Sequence, residues 1–186
     1  MRTKLIESNK PERYINSVRN ADSSAAAATI PVGTPLILNL SATPQPPAYS
    51  NGLPAGWEDG LQVVLPSTAA AANASAPSLF YFGVAAGPIV YPAYGEAVVS
   101  GVCMSAVVRA TRSATTVSWA SGATASVSGD ALTIDTVNNA FGTAASAASA
   151  QAILLDNFAT MAGSATNATD TRLAATVLLR TFVRQM

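Results

Sequence analysis

Apolar residues in this chain come in short runs, and Gly, Pro and Asp break them at short intervals. The densest stretch, Leu79 to Val137, reads LFYFGVAAGPIVYPAYGEAVVSGVCMSAVVRATRSATTVSWASGATASVSGDALTIDTV. Val, Thr and aromatics suit a pleated, half-buried surface, and the interrupting residues suit tight turns. The breaks predict strands at 79–85, 88–91, 96–109, 115–120 and 131–137. Ser128-Gly129-Asp130 is the sharpest turn signal, because Gly and Asp tolerate positive φ. Val98–Val108 is apolar on both alternating sets: Val98, Val102, Met104 and Ala106 against Val99, Cys103 and Val107. A strand apolar on both faces lies between two layers.

Weaker patterns flank this centre. IPVGTPLILNL (30–40) predicts a strand interrupted by a turn at Gly33-Thr34-Pro35, and GLQVVL (60–65) predicts another. Residues 42–57 hold four prolines and Asn51-Gly52, so they read as loop. Residues 66–77 (PSTAAAANASAP) read as low-complexity loop. Ala147–Met161 fits a helix with Ile153, Leu154, Leu155 and Phe158 as its stripe. Ala174–Val183 reads as a final strand, with a helix as the alternative. Residues 1–22 carry sparse anchors (Leu5, Ile6, Tyr14, Ile15, Val18) in a polar background, and 22–28 (DSSAAAA) reads as linker. The expectation is a mainly β fold: a small β-barrel or β-sandwich with an extended N-terminal arm and a short Ala-rich helical segment near the C-terminus. The arm and linker would span 1–28. The β domain would span 29–186, with its core at 79–137 and a C-terminal tail strand. On that division, residues 1–22 are removable without loss of fold.

Composition adds a constraint on the surface. Charged residues make up only 11% of the chain, against roughly 25% in an average soluble protein. Ser, Thr, Asn, Ala and Gly must therefore cover the outside, a surface suited to packing against other protein. The net charge is zero but unevenly spread. Residues 1–22 hold five basic and three acidic groups, residues 23–171 hold two and seven, and residues 172–186 hold three and none. A basic head and tail flank an acidic middle. This fits docking of both ends onto an acidic protein surface, and equally ordinary surface charge. No basic cluster is dense enough to track a phosphate backbone, so no nucleic-acid partner is expected.

Catalytic chemistry finds little purchase. The chain has no histidine and one cysteine, which removes Ser-His-Asp triads, Cys-His pairs, His-ligated metals and an intrachain disulfide. Cys103 reads as a small buried hydrophobe. Asp130 and Asp135 read as turn residues rather than a cation site, and Glu58, Asp59 and Glu96 lack the context of a paired-carboxylate hydrolase. There is no phosphate-loop motif. The sequons at Asn73 and Asn167 read as chance matches. No cofactor, metal or enzymatic activity is expected. The N-terminus lacks the apolar run of a signal peptide, and no window has the length and apolarity of a membrane helix, so synthesis in a cytoplasm and no membrane partner are expected. Phe80, Tyr81, Phe82, Tyr91 and Tyr94 fit either core aromatics or a sugar-stacking platform.

Two segments carry a family resemblance: FGVAAGPIVYPAYGEAVVSGVCMSAVVRA (82–110) and WASGATASVSGDALTID (119–135). Their small-residue strand pair followed by a Gly-Asp hairpin resembles the bacteriophage capsid decoration, or cement, proteins. PVGTPLILNL (31–40) is similar to the first strand of that family. The Pro-rich 42–57 loop departs from the family pattern, and the N-terminal arm and the 140–186 tail are not covered. The resemblance implies a small β module on the exterior of a virion capsid, made in a host cytoplasm, that bridges major capsid protein subunits and sits beside copies of itself as a homo-oligomer. Candidate capsid-docking residues are Arg2, Lys4, Leu5, Ile6, Arg13, Tyr14, Arg19, Arg180 and Arg184. The alternative is a receptor- or carbohydrate-binding β module on the virion surface, with Tyr49 and Trp57 as loop-binding candidates.

Overall fold

A computed structural model describes residues 13–24, 28–39, 61–72, 80–112, 117–119, 127–144, 150–156 and 168–179. The fold is mainly β and contains a five-stranded barrel. The described strands are β1 (Arg13–Asn20), β2 (Thr29–Ile30), β3 (Pro35–Leu38), β4 (Leu61–Val64), β5 (Tyr81–Ala85), β6 (Ile89–Val90), β7 (Tyr94–Arg112), β8 (Val117–Trp119), β9 (Ala131–Asp135), β10 (Ala140–Thr143), β11 (Ala152–Leu154) and β12 (Ala168–Leu179). One short helix, α1 (Pro66–Ala72), is the only helix among the described residues.

The organising element is β7, a single 19-residue strand, roughly 60 Å long at about 3.3 Å per residue. Its first half joins one ring of strands. β1 pairs β7 antiparallel and β4 in parallel, and β4–β3–β5 return to β7, so five strands close on themselves. Its second half joins another. β12 pairs β7, then β11, β9 and β10 follow, and Phe141 of β10 returns to Val108 of β7 through one parallel bridge. Closing strands into rings removes the open edges that a flat sheet this size would expose. β8 pairs the end of β7 outside both rings, and β2 and β6 form a separate two-stranded ladder.

Pairing explains why these positions are apolar. In the second ring Val108 lies opposite Phe141, Phe141 opposite Ile134, Leu132 opposite Ala152, Leu154 opposite Val177, and Ala175 opposite Ala106. All of these are buried in one cluster, so every ladder presents its apolar set to the same interior. Tyr81 of β5 reaches this cluster and meets Phe141 edge-on at 5.9 Å between ring centroids. In the first ring Val18, Leu36, Val63, Ala85 and Ala97 form a second cluster with Ile30 and Ile89 of the small ladder.

β7 changes rings by breaking its own alternation. Gly101 has φ +88°, and the β12 register shifts between Ala175 and Val177. Cys103, Ala106 and Val108 are consequently buried while Met104 is exposed, which corrects the assignment of Met104 and Ala106 to one face. A second device fixes the crossing. Gly33 (φ +81°) lies against the strand, with its N–H donating to the Ala85 carbonyl and its own carbonyl accepting from the Val107 N–H, both at 2.8 Å. A Cβ there would stand 1.8 Å from the Ser105 carbonyl oxygen, so only glycine fits.

Three further expectations are corrected. Residues 13–24 are not arm or linker: β1 is a member of the first ring, Val18 is fully buried, and Asn20 and Asp22 are buried polar anchors. Asn20 donates from Nδ2 to the Ile89 carbonyl and accepts the Asp22 N–H at Oδ1, while Asp22 accepts the N–H groups of Leu65 and Ser24. Polar residues are buried here because backbone donors and acceptors need partners. Second, the Ala-rich helix over 147–161 does not form in its described part, where Ala152–Leu154 is the strand β11. Ile153 and Leu154 serve a ladder between β9 and β12 instead of a helix stripe. Third, 66–72 is helical rather than loop. The Ser67 N–H at its start is satisfied by Asn139 Oδ1, 72 positions away and 2.8 Å distant. The Ala174–Val183 expectation resolves to strand within β12, as far as Leu179.

Candidate functional site

The carboxylates that looked closest to chemistry are turn fasteners. Asp130 Oδ2 accepts the Val127 N–H at 2.9 Å, closing the turn whose third residue is Gly129 at φ +96°. Asp135 ends β9. Its Oδ1 accepts the N–H groups of Val137 and Asn138, and its Oδ2 accepts Asn138 Nδ2 at 2.9 Å and Arg109 Nη1 at 3.1 Å. Burial raises the Asp135 pKa, but these donors outweigh it and the net shift is downward. Both groups are therefore committed to shaping the ends of β9. Glu96 is exposed on β7 opposite Ser17 of β1. Among the described residues no three Cys, Asp or Glu side chains gather in a way that holds a metal ion.

The aromatic stretch divides into two populations. Tyr81 is core: its hydroxyl is buried without a hydrogen-bond partner, and burial, with the neighbouring Cys103 adding to it, pushes its pKa well up. Phe80 and Phe82 are half-buried against the two clusters. Tyr91 and Tyr94 are exposed. They flank a turn in which the Ala93 N–H donates to the Val90 carbonyl and Arg19 Nε donates to the Pro92 carbonyl.

The docking candidates distribute unevenly. Arg2, Lys4, Leu5, Ile6, Arg180, Arg184, Tyr49 and Trp57 lie outside the described residues. Arg13 and Tyr14 open β1, where Arg13 pairs with Gly101 and Tyr14 with Ser100. Arg19 lies at the far end of that ladder, opposite Tyr94. Leu179, the last residue of β12, also pairs with Gly101. The entry of β1 and the exit of β12 thus flank one residue of β7. This convergence is invisible in the sequence, where positions 13 and 179 are far apart. The exposed apolar residues beside it, Met104 and Leu178, were equally hidden, because both sit in runs that read as core.

The motif glycines are packing positions. A Cβ on Gly83 would meet the Val98 carbonyl oxygen at 2.4 Å, and one on Gly95 would meet Ile89 Cγ1 at 2.6 Å. The small-residue pattern thus permits close approach around β7. Compared with known proteins, the chain matches no family model, no curated sequence and no solved structure.

Proposed function

We propose that this chain is a structural virion protein, a capsid cement or decoration protein that binds the outside of the phage head and stabilises contacts between major capsid protein subunits. The observation that carries this reading is the role of the motif segments 82–110 and 119–135. They supply β7, the strand both rings share, and β9, and their glycines and aspartates serve packing and turns rather than chemistry. A charge-poor exterior supports permanent attachment to other protein, including neighbouring copies, and a symmetric lattice makes weak contacts additive. The proposed location is the capsid exterior, after synthesis in the host cytoplasm, with no nucleic-acid or membrane partner and no catalytic step. Co-sedimentation with expanded and unexpanded capsid shells of the phage that encodes the chain tests it. Saturable binding to assembled shells is the expected result, and absence of binding to both shell forms overturns the reading.

A second reading, a receptor- or carbohydrate-binding module, is favoured by the exposed Tyr91 and Tyr94 on a hydrogen-bonded turn, since aromatic faces stack on sugars. A glycan array run with the full chain and with Tyr94→Ala and Trp57→Ala discriminates. A blank array removes this reading.

A further inference from the structure

The ladders of the first ring put a mixed set of side chains on one outer face. Arg19 of β1 lies opposite Gln62 of β4 on one side and Tyr94 of β7 on the other, and Ser17 lies opposite Glu96. Residues directly opposite in a ladder share a face, as do alternate residues along a strand. The other alternating set, Val18, Val63 and Ala97, is buried together inside the ring. Ser17, Tyr94 and Glu96 are exposed, and Arg19 and Gln62 are half-buried. The next pair along the same face is Ile15 and Val98, of which Val98 is buried and Ile15 is 39% exposed.

A fastened turn borders the Tyr94 end of this face. Asn20 donates from Nδ2 to the Ile89 carbonyl at 3.0 Å and from its backbone N–H to the Ala93 carbonyl at 3.1 Å. Arg19, whose side chain shares the face with Tyr94, donates from Nε to the Pro92 carbonyl at 3.2 Å. Val90 and Tyr91 on this turn are also exposed. An exposed ring on a strand, next to a turn held at three points, needs little ordering when a ligand arrives. With strands about 4.8 Å apart and a two-residue step of about 6.7 Å, the Gln62–Arg19–Tyr94 and Ser17–Glu96 rows cover roughly 10 Å by 7 Å. That is the footprint of a small saccharide.

We infer that this β4–β1–β7 face binds a neutral saccharide. The Tyr94 ring stacks on the apolar C–H face of a sugar, Glu96 accepts hydrogen bonds from its hydroxyls, and Gln62 and Ser17 both donate and accept. Arg19 is a positioning residue that fastens the turn beside the ring. The inference rests on the carbohydrate-binding reading, to which it gives a place and polar partners, and is separate from capsid attachment. The layout of the face decides the occupant. Its exposed apolar side chains, Tyr94 and Ile15, stand in its outer rows, with the polar Ser17–Glu96 pair between them. A protein interface has the reverse order, an apolar centre within a polar rim. One guanidinium and one carboxylate leave no net charge to hold a nucleic acid or a sulfated polymer. Donors and acceptors mixed around one ring suit a polyol with an apolar side.

A glycan array with the full-length protein, followed by NMR titration with chitohexaose, cellohexaose and maltohexaose, tests the assignment. A neutral saccharide should bind and shift the Tyr94 ring signals. Tyr94→Ala should weaken that binding about tenfold or more and Glu96→Gln about tenfold, while Tyr94→Phe and Trp57→Ala leave it unchanged. Tyr94 and Glu96 are exposed, so these variants should melt at the native temperature. Saccharide binding that survives both Tyr94→Ala and Glu96→Gln overturns the face and leaves the carbohydrate-binding reading standing. No saccharide binding at all overturns both. Self-association of the chain that Tyr94→Ala abolishes would give the face to a second copy and also overturn the assignment.

Discussion

Gly33→Ala probes the crossing of β7 more directly than any core truncation. Glycine at this position has φ +81°, and a left-handed conformation costs an L-residue roughly 1–2 kcal/mol. The added Cβ would also lie 1.8 Å from the Ser105 carbonyl oxygen and 3.0 Å from its carbon. The obstruction is backbone, so no side-chain rotation relieves it, and the 31–34 loop must lift from β7. Lifting weakens two 2.8 Å hydrogen bonds, from Gly33 N–H to the Ala85 carbonyl and from Val107 N–H to the Gly33 carbonyl, each worth about 1 kcal/mol. The sum is about 3–4 kcal/mol, which lowers the melting temperature of a chain this size by about 10 °C. Two controls separate the causes. Gly129 has φ +96° but open space around its Cβ, and Gly87 has open space with no positive φ. Gly129→Ala should cost about 1–2 kcal/mol, and Gly87→Ala should be neutral or stabilise by up to about 1 kcal/mol. Urea unfolding followed by circular dichroism gives all three. If Gly33→Ala unfolds within about 0.5 kcal/mol of Gly87→Ala, the proposed contact between the 31–34 loop and β7 is wrong.

Deleting residues 1–12 should leave the melting transition intact, whereas deleting 1–22 should abolish it by removing β1, Val18 and the Asn20–Asp22 anchors; circular dichroism of the two truncations checks this. Acid should destabilise the fold through Asp22 and Asp135. For Asp22, burial raises the pKa, but hydrogen bonds from Ser24, Thr68 and Leu65 bring the net shift below its 3.8 reference, as the donors of Asp135 do for that group. A carboxylate with a lowered folded pKa contributes stability above its unfolded pKa and loses it as pH falls through the folded value. Thermal melts between pH 6 and 2 should therefore fall less steeply for Asp135→Asn than for the native chain, and an unchanged slope refutes the assignment. Tyr81→Phe removes a buried hydroxyl that has no hydrogen-bond partner, so its stability should stay level or rise by up to about 1 kcal/mol; a loss above that in urea titration would mean the hydroxyl is satisfied.

The mainly β character was legible because strand residues and turn residues alternate so sharply through 79–137. The ladders β5, β6, β7, β8 and β9 lie within or close to the spans that this punctuation predicts. What stayed hidden was set by distant partners. β1 looked like an arm because its apolar residues are sparse, and its membership of the ring depends on β4 and β7. Asn20 and Asp22 read as polar surface, and only the positions of the Ile89 carbonyl and the Leu65 N–H make them buried anchors. Ala152–Leu154 carries a helix-compatible pattern, and pairing with β9 and β12 overrides it. Charge near both ends was legible locally, but that Arg13 of β1 and Leu179 of β12 share Gly101 as register partner is a property of topology.

A reconstruction of capsid shells carrying the full chain tests the proposed cement role most directly. If the cement-protein proposal holds, ordered β-rich density for this chain lies on the outer surface of the capsid lattice. Particles whose shell carries no such density, with the chain absent from the head or located elsewhere, would contradict it.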